Sequence, residues 1–352
     1  MSLATAFADT QRSAGAELRE ANGLVYASDY GDREGELRAA RTATALIWQP
    51  WRAYLSVTGD ERLAFLHRLL SANVEALQPG DNAPGLLLDT RGKVQASLNL
   101  WLREEAVLIA SDEAVISSVA EQLGRYVLRS AVQVVATPLV SLAFVGPGHG
   151  AVAGALGLEL PATPRQPAGG GTWRSVRTGR LPGSFEIASP EADAIELWNA
   201  ACELGDESAR PAGRSVSEVL RVEAGVPEHG AELTGNELPQ EARLEHAVDF
   251  EKGCYLGQET VARIHFRGQV SRLLCGLRLE AAVEPGATLS SGGRGVGNVT
   301  SAVVSECHGR IGLGYVRREL ADPDMELRVG DGSTARVAPL PFNGCARLGA
   351  AT

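Results

Sequence analysis

The strongest structural signal in this 352-residue chain is a run of alternating apolar side chains. Val94–Leu102 (VQASLNLWL) places an apolar side chain at every second position. Successive side chains of a strand point to opposite faces, so this spacing predicts a strand with one face buried. Residues 86–88 form a second apolar stretch, joined to the first by the turn-forming sequence DTRGK. The chain is therefore predicted to contain a β-hairpin that contributes one face to a core.

Similar patterns predict further elements before this hairpin. Residues 51–57 alternate like a half-buried strand, and a helix should follow through the leucines at 63–70. Thr58 stands three residues before Glu61, which is the spacing of a capping box at the start of that helix. Residues 1–45 are expected to be helical in pieces, with a turn between the pieces.

Beyond the hairpin, helices and strands are expected to alternate until the pattern changes near the C-terminus. The predicted helices are 112–128, 190–204 and one around 219–225, and the predicted strands are 106–110, 132–136, 141–145, 173–176 and 185–188. A Pro- and Gly-rich linker is expected at 161–171. From residue 271 onward, short apolar strands with many glycines predict a small β-barrel.

Length, charge and cysteine usage exclude several classes of protein. A chain of 352 residues should form two or three domains. A net charge of -10 argues against general binding to nucleic acid or anionic membranes, so no direct DNA binding is expected. Five scattered cysteines without a C-x-x-C pair predict neither a disulfide framework nor a metal site. No signal peptide and no membrane-spanning apolar run is evident, so a cytoplasmic location without membrane attachment is expected.

The most concentrated chemistry lies in residues 249–268, DFEKGCYLGQETVARIHFRG, here named the Cys254 segment. Its glycine, amide and charged residues are poor core material. Its apolar residues also lack the regular spacing of a helix or strand. We therefore expect a loop, held by a rigid scaffold, that carries function.

The residue types of this segment suit a reactive thiol beside an anionic ligand. A lysine near a thiol favours the thiolate, so Lys252 should activate Cys254. Gln258 offers a donor and an acceptor, and Arg263 and Arg267 offer forked donors to carboxylate or phosphate. The alternative is a structural loop with a buried, inert cysteine.

The Cys254 segment resembles the signature of the YgfZ family, folate-binding relatives of the glycine-cleavage T-protein (aminomethyltransferase). The family pattern is K-G-C-[YF]-x-G-Q-E, then an arginine four residues after the glutamate and a closing R-G. The positions of this chain that fit are Lys252, Gly253, Cys254, Tyr255, Gly257, Gln258, Glu259, Arg263, Arg267 and Gly268. Weaker matches, such as G-N-V-T-S at 297–301, extend the resemblance over nearly the whole chain.

The resemblance implies a T-protein-like α+β fold, with two α+β domains and a C-terminal small β-barrel around a central folate cleft. Residues 1–268 would form the folate-binding region, whose two lobes can interleave in sequence, and residues 269–352 the barrel. The run L-R-V-E-A-G resembles a family run whose glutamate, here Glu223, contacts the folate pterin. The alternative for this glutamate is a helix-surface salt bridge with Arg221.

The cofactor implied by the resemblance is tetrahydrofolate, a reduced folate, and no metal is implied. Catalytic roles fall to Cys254 and Lys252. The residues expected to bind the cofactor are Glu223, Tyr255, Gln258, Glu259, Arg263 and Arg267.

The implied function is to support the assembly, repair or activity of iron–sulfur enzymes, tRNA-modifying ones among them, through a reactive cysteine. The partners would be those enzymes or cluster-assembly proteins. Because iron–sulfur clusters are usually held by four ligands, Cys254 would share a ligand site with a partner or act as a thiol.

Two other functions stay open. In the aminomethyltransferases, the second hairpin strand begins Gly-x-x-Asp-Asp and supplies a carboxylate near the reacting folate nitrogen. Gln95 and Ala96 stand at those positions here. An aminomethyl or methyl transferase is therefore favoured by the fold but opposed by these residues. The third class is a thiol enzyme in which His246 or His265 acts as the base for Cys254.

Overall fold

The computed structural model describes residues 5–158, 160, 175–178, 181, 183–206, 208–330 and 332–344. The linker predicted at 161–171 lies outside these residues. Within the described ranges, no helix is both long and apolar enough to cross a membrane.

The described residues form eight α-helices and eighteen strands. The helices are α1 Thr5–Ser13, α2 Arg33–Thr42, α3 Arg62–Leu69, α4 Glu113–Gly124, α5 His149–Ala155, α6 Glu191–Glu203, α7 Arg214–Ala224 and α8 Gln258–Arg267. The strands are β1 Glu17–Ala21, β2 Leu24–Asp29, β3 Ala45–Trp48, β4 Arg52–Thr58, β5 Asn82–Leu88, β6 Val94–Leu102, β7 Ala106–Asp112, β8 Gln133–Thr137, β9 Val140–Val145, β10 Ser175–Thr178, β11 Ser184–Ser189, β12 Arg210–Pro211, β13 Arg272–Leu279, β14 Thr288–Ser291, β15 Arg294–Ser305, β16 Gly309–Arg317, β17 Glu326–Val329 and β18 Thr334–Ala338. Short 3-10 turns occur at Val74–Ala76, Val127–Arg129, Glu245–Ala247 and Arg318–Leu320.

The first lobe is a five-stranded sheet with helices on both faces. Its strand order is β10-β11-β9-β3-β12, antiparallel except for the β12–β3 pair. On one face, α1 and α6 pack through Phe7 and Trp198 against Phe144. On the other face, α2 and α7 pack against Ile47 and its neighbours. Burial of both faces explains why strand β3 (ALIW) is apolar at every position.

The second lobe is a separate antiparallel sheet built from residues 52–137. Its strand order is β5-β6-β7-β4-β8, and α3 and α4 cover one face. Leu66 of α3, Leu98 of β6 and Leu123 of α4 are buried together in that core. Because this segment lies between β3 and β9 in the chain, the second lobe is inserted into the first.

The C-terminal strands close into a six-stranded barrel in the order β13-β16-β15-β14-β17-β18. Leu277, Val299 and Leu327 belong to its core. At Gly297, an added Cβ would lie 2.0 Å from the carbonyl oxygen of Tyr315, so this close approach of strands requires glycine. The predicted fold class, two α+β lobes with a C-terminal barrel, is confirmed. The exact division between residues 268 and 269 stays a prediction.

Two local predictions are wrong. Residues 1–45 contain not only α1 and α2 but also the β1–β2 hairpin, which pairs Ala21 with Leu24. The predicted capping box also does not form, because Glu61 is the N-cap of α3 and no side-chain hydrogen bond caps it.

Strand β4 is buried on both faces instead of half-buried. It lies between β7 and β8, with Leu55 in the helix-covered core and Tyr54 packed on the opposite face. The insertion of the second lobe explains this difference, since the face opposite the helices meets other parts of the protein.

Candidate functional site

The Cys254 segment is half turn and half helix, so its prediction as a loop is wrong from Gln258 onward. Gly257 has a φ of 80° and precedes α8 as its N-cap residue. The Gln258 side-chain oxygen accepts a hydrogen bond from the Tyr255 backbone N–H at 2.9 Å. Only Val261 of α8 is buried among its ten residues, so the helix shows no apolar stripe for a sequence pattern to detect.

Lys252 anchors this segment to the end of α3. Its ammonium donates to three backbone carbonyl oxygens, of His67 at 2.5 Å, Leu70 at 2.7 Å and Ala72 at 2.8 Å. The carbonyls of His67 and Leu70 lie at the C-terminal end of α3, where helix carbonyls lack intrahelical partners and a cation complements the helix dipole, whereas the Ala72 carbonyl also accepts from the Val74 N–H. Burial lowers the pKa of Lys252 to about 8. The lysine therefore holds the backbone that precedes the cysteine in place, and its catalytic role stays a prediction.

Cys254 itself is exposed. The alternative of a buried cysteine is therefore wrong at this position. Burial raises the pKa of the Cys202 thiol to about 11 and also raises the pKa of Cys275. Cys307 is disulfide-bonded, which the scattered cysteine pattern did not predict. Of the three free cysteines in the described chain, Cys254 is thus exposed, Cys202 partly buried and Cys275 buried.

The predicted ligand residues that follow Cys254 divide into two groups. Tyr255 is partly buried against the core that holds Val248, and burial raises its pKa to about 12. Glu259, Arg263 and Arg267 are exposed on α8. Tyr255 and Gln258 therefore stabilise the turn, whereas the three charged side chains are free to meet a partner or ligand. Their binding roles stay predictions.

Glu223 lies with a different set of elements. Its carboxylate accepts hydrogen bonds from Arg41 of α2 and Ser305 of β15, both at 2.6 Å. The alternative salt bridge with Arg221 is wrong, because Arg221 pairs with Glu218 and Glu232 instead. The structure therefore places Glu223 where the first lobe meets the barrel, on elements other than those that carry Cys254.

A central cavity of about 390 Å³ is bordered by both lobes and the chain after the barrel. Ser97 and Asn99 of β6 line one side, and residues 224–227, 243–244 and 246–247 line others. The Ser97 backbone N–H donates to Nε2 of His229 at 3.0 Å, which fixes the loop that carries His229 against β6. This volume lies in the range of small-molecule sites in proteins.

Arg243 on the cavity wall has a φ of 57°. Such left-handed backbone is uncommon outside glycine and is concentrated at functional sites. Its guanidinium Nε donates to the carbonyl oxygen of Leu274 at 2.6 Å, which fixes the side chain against the barrel. Sequence patterns did not single out this residue, because backbone strain leaves no periodic signal.

Gln95 and Ala96 place no carboxylate on the hairpin. The Gln95 amide donates to the carbonyl oxygen of Gly235 at 3.2 Å. Ala96 is fully buried in the core of the second lobe. The two residues that replace the aspartates of the Gly-x-x-Asp-Asp pattern are therefore held by contacts within the protein.

The two histidines considered as bases lie in different surroundings. His265 stacks on Phe250 with a ring-centroid distance of 3.7 Å. His246 borders the central cavity. A third histidine lies close to the turn that carries Cys254. Nε2 of His67 is 3.9 Å from the position of a Cβ added at Gly253, the residue before Cys254. Within the described ranges, no group of three or more His, Cys, Asp or Glu side chains is arranged to hold a metal ion.

The largest feature that the sequence did not reveal is an ion network between α7 and the barrel. Glu232 is fully buried and pairs with Arg221 at 2.8 Å. It also accepts hydrogen bonds from Thr300 at 2.7 Å and Ser301 at 2.6 Å. The G-N-V-T-S run therefore fastens the barrel to the first lobe. These contacts join residues far apart in the chain, so no local spacing could predict them.

Comparison with known proteins identifies the class. A family model described as the GCVT N-terminal domain matches residues 7–252. A second, the glycine cleavage T-protein C-terminal barrel domain, matches residues 272–343. The chain therefore belongs to the glycine cleavage T-protein family.

Individual relatives refine this assignment. The chain is 27% identical to the tRNA-modifying protein YgfZ of Serratia proteamaculans, over 91% of this chain and 98% of that one. It is 29% identical to an aminomethyltransferase of Saccharopolyspora erythraea, over 93% and 96%. It is 27% identical to the putative chloroplastic transferase At1g60990 of Arabidopsis thaliana, over 96% and 79%. The resemblance to YgfZ is confirmed.

The fold agrees with a solved structure of the same class. The glycine cleavage system aminomethyltransferase T from Bartonella henselae superposes with a TM-score of 0.88 at 24% identity. The match covers 97% of this chain and 98% of that one. At this identity the likeness supports the fold alone.

Proposed function

We propose that this protein binds tetrahydrofolate in the central cavity and supports cytoplasmic iron–sulfur enzymes, tRNA-modifying ones among them, through the thiol of Cys254. The observation that carries this proposal is an exposed cysteine held on a rigid support. Lys252 fixes the chain before it to three carbonyls of the α3 end, and the Tyr255–Gln258 hydrogen bond fixes the chain after it. A thiol presented in this way can reach a cluster or a sulfur atom on a partner protein.

The residues around the central cavity fit a reduced folate. The Asn99 amide and the Ser97 hydroxyl offer donors and acceptors suited to the edge of a pterin ring. Arg243 and His246, on the opposite segment, offer donors suited to the glutamate carboxylates. When bound, the folate would supply a one-carbon carrier, and these side chains would orient it.

The test of the thiol role is rescue of iron–sulfur enzyme activity in a strain that lacks the gene. Cys254→Ser should keep the fold and the folate affinity but fail to rescue. Cys202→Ser is the matched control and should rescue, because Cys202 is partly buried on α6. Full rescue by Cys254→Ser would overturn the role of the thiol and shift attention to Glu259 and Arg263.

The folate part of the proposal is tested by titration with tetrahydrofolate. Glu223→Ala should weaken binding if this carboxylate holds the pterin, as the family resemblance implies. Ser305→Ala is the control, because it removes one hydrogen bond to Glu223 and leaves the carboxylate in place. Undiminished binding in Glu223→Ala would remove Glu223 from the folate site. Weakened binding in Asn99→Leu would then support the cavity described above.

An aminomethyl or methyl transferase is the second candidate, favoured by the aminomethyltransferase relatives and the shared fold. The packed Gln95 amide and the buried Ala96 oppose it. A glycine-cleavage assay with the partner proteins of that system should therefore give background rates. Turnover comparable to an aminomethyltransferase would show that another carboxylate has taken the role.

A further inference from the structure

Phe266 on α8 is the one phenylalanine of this chain that is exposed to solvent. Five of the seven phenylalanines are buried, Phe250 is partly buried, and Phe266 is 67% exposed. The ring of Phe266 packs edge-on against His265 with a centroid distance of 4.9 Å, and His265 in turn stacks on Phe250 at 3.7 Å. Single exposed apolar side chains are normal on protein surfaces, whereas grouped ones mark interaction sites. These three rings form such a group.

Two arginines flank Phe266 on the same face of α8. At 3.6 residues per turn, Glu259, Arg263, Phe266 and Arg267 fall within an arc of about 100°, and Val261, the buried residue of this helix, points the opposite way. We name these four exposed side chains the outer face of α8. Arginine and aromatic side chains are the residue types that carry most of the binding energy in protein interfaces.

The outer face of α8 and the turn that carries Cys254 belong to one unit. Phe250 precedes the turn and stacks on His265, and Gln258 follows the turn and accepts a hydrogen bond from its backbone. Phe266 lies eight residues after Gln258, which corresponds to about 12 Å along the helix axis. A typical protein interface covers about 800 Å² of each partner, a patch roughly 30 Å across. A single partner protein can therefore cover Phe266 and reach the exposed Cys254.

The outer face of α8 lies apart from the central cavity. Among the described residues that border that cavity, none belongs to the Cys254 segment. A partner protein can therefore bind at the outer face of α8 while a small molecule occupies the central cavity.

The charges around the thiol favour a protein over a nucleic acid as the partner. Arg263 and Arg267 present forked donors that fit carboxylates. Glu251 and Glu259, both exposed, lie in the chain on either side of Cys254. A nucleic-acid strand that ran from the arginines to the thiol would bring a phosphate at every nucleotide past these carboxylates, whereas a protein can place its acidic side chains opposite the arginines alone. The net charge of -10 also disfavours a polyanion.

We propose that the outer face of α8 is the docking surface for the iron–sulfur protein that Cys254 serves, and that this partner presents an apolar pocket rimmed by aspartate or glutamate side chains. The pocket takes the ring of Phe266, and the carboxylates pair with Arg263 and Arg267. Docking at this face brings the partner to the exposed thiol. This proposal rests on the function proposed for Cys254.

Rescue of iron–sulfur enzyme activity in a strain that lacks the gene tests the role of Phe266. Phe266→Ser should lower the rescued activity, because truncating a central aromatic side chain weakens an interface at least about tenfold. The purified variant should keep the wild-type tetrahydrofolate affinity and the wild-type rate of Cys254 alkylation by iodoacetamide, because Phe266 is exposed and lies outside the central cavity. Leu128→Ser is the matched control. Leu128 is 91% exposed on another part of the surface, so this variant should rescue fully.

A photo-reactive residue at position 266 tests the chemistry of the partner. p-Benzoylphenylalanine in place of Phe266, irradiated in the same strain, should form an adduct with an iron–sulfur protein, and the adduct should resist ribonuclease. Arg263→Glu combined with Arg267→Glu should reduce the adduct, and lysine in place of the partner's acidic residues nearest the cross-link should restore it. Arg33→Glu combined with Arg38→Glu reverses two exposed arginines of α2 and is the matched control, which should leave the adduct unchanged.

The outcomes separate the docking surface from the thiol role. The docking surface is overturned by full rescue in Phe266→Ser, by the absence of a protein adduct, by a ribonuclease-sensitive adduct, by an adduct between two copies of this chain, or by an adduct that withstands the double charge reversal. Failed rescue by Cys254→Ser with full rescue by Phe266→Ser rejects the surface and keeps the thiol role. The reverse result rejects the thiol role and supports the surface.

Discussion

Cys254, Cys202 and Cys275 are chemically the same side chain in three environments. Cys254 is exposed, whereas burial raises the pKa of the other two thiols and limits access to them. Since the thiolate is the reactive form, iodoacetamide at pH 7.5 should alkylate Cys254 at least about tenfold faster. Time-resolved peptide mass spectrometry measures the three rates in one sample. Equal or faster labelling of Cys202 would contradict this account of the exposed thiol.

Lys252 gives the protein a pH-dependent contribution to stability. Its folded-state pKa is about 8 because it is buried, whereas lysine in an unfolded chain titrates near about 10.4. Between these values the unfolded state binds more protons, so the free energy of unfolding should rise with pH from 8 to about 10.4. Urea unfolding across this range should show the rise in the wild type and its loss in Lys252→Met.

Lys93→Met is the control for this experiment. Nζ of Lys93 lies 3.6 Å from Oε2 of Glu241, so substitution of Lys93 leaves the contact between Lys252 and α3 unchanged. The rise in stability should therefore persist in that variant. A rise that survives in Lys252→Met would assign the proton uptake to another group.

Among the elements, the turn into α8 depends on a glycine for two reasons. Gly257 has a φ of 80°, and an added Cβ would lie 2.3 Å from the carbonyl oxygen of Asp89. Gly205 has nearly the same φ, 81°, but its added Cβ would meet nothing within 4 Å. Gly257→Ala should therefore cost about 1–3 kcal/mol more than Gly205→Ala, because it adds a clash to the same backbone strain. Chemical denaturation of both variants measures the difference, and equal losses would show that the turn can relax.

Elements with a strong period were predictable, and elements without one were not. Strand β6 was predicted with its bounds, because its alternating residues from Ala96 to Leu102 face the helix-covered core of the second lobe. Helix α8 was missed because it buries Val261 alone. The β1–β2 hairpin was missed although Asn22 and Gly23 form its two-residue turn, both with positive φ. An Asn-Gly pair between short strands is the strongest local hairpin signal, so the sequence does contain the information that predicts this hairpin.

For the functional residues, a local motif predicts their identity but not their contacts. A motif identified Cys254, Lys252 and Glu223, but it could not show that Lys252 binds the end of α3 or that Arg41 and Ser305 hold Glu223. The Arg41 contact spans 182 positions and the Ser305 contact 82. Such pairings are set by how the lobes and the barrel pack, which is a property of the whole fold and not of any short stretch.

For the whole molecule, Glu232 is the joint between the first lobe and the barrel. It is fully buried with Arg221, Thr300 and Ser301 as partners. Glu232→Ala leaves the buried Arg221 guanidinium short of a carboxylate and should lower the free energy of unfolding by about 3–5 kcal/mol. It should also make the connection to the barrel more sensitive to limited proteolysis.

The control for Glu232→Ala is an ion pair of the barrel surface. Glu326 and Arg336 lie 2.6 Å apart with side chains 61% and 51% exposed. Glu326→Ala should cost at most about 1 kcal/mol and leave the proteolysis pattern unchanged. Similar losses in the two variants would mean that the buried network does not join the domains.

The insertion of the second lobe has a consequence for how the chain is made. Strand β3 pairs with β9 and β12, and both follow it in the chain. Residues 49–139 must leave the ribosome before β9 begins, which at about 5–20 residues per second takes roughly 5–20 seconds. The inserted lobe has its own core and can fold during that interval. During the same interval strand β3 (ALIW), which precedes the inserted lobe in the chain, has both edges unpaired. Chaperones bound to the nascent chain would have to cover this apolar segment.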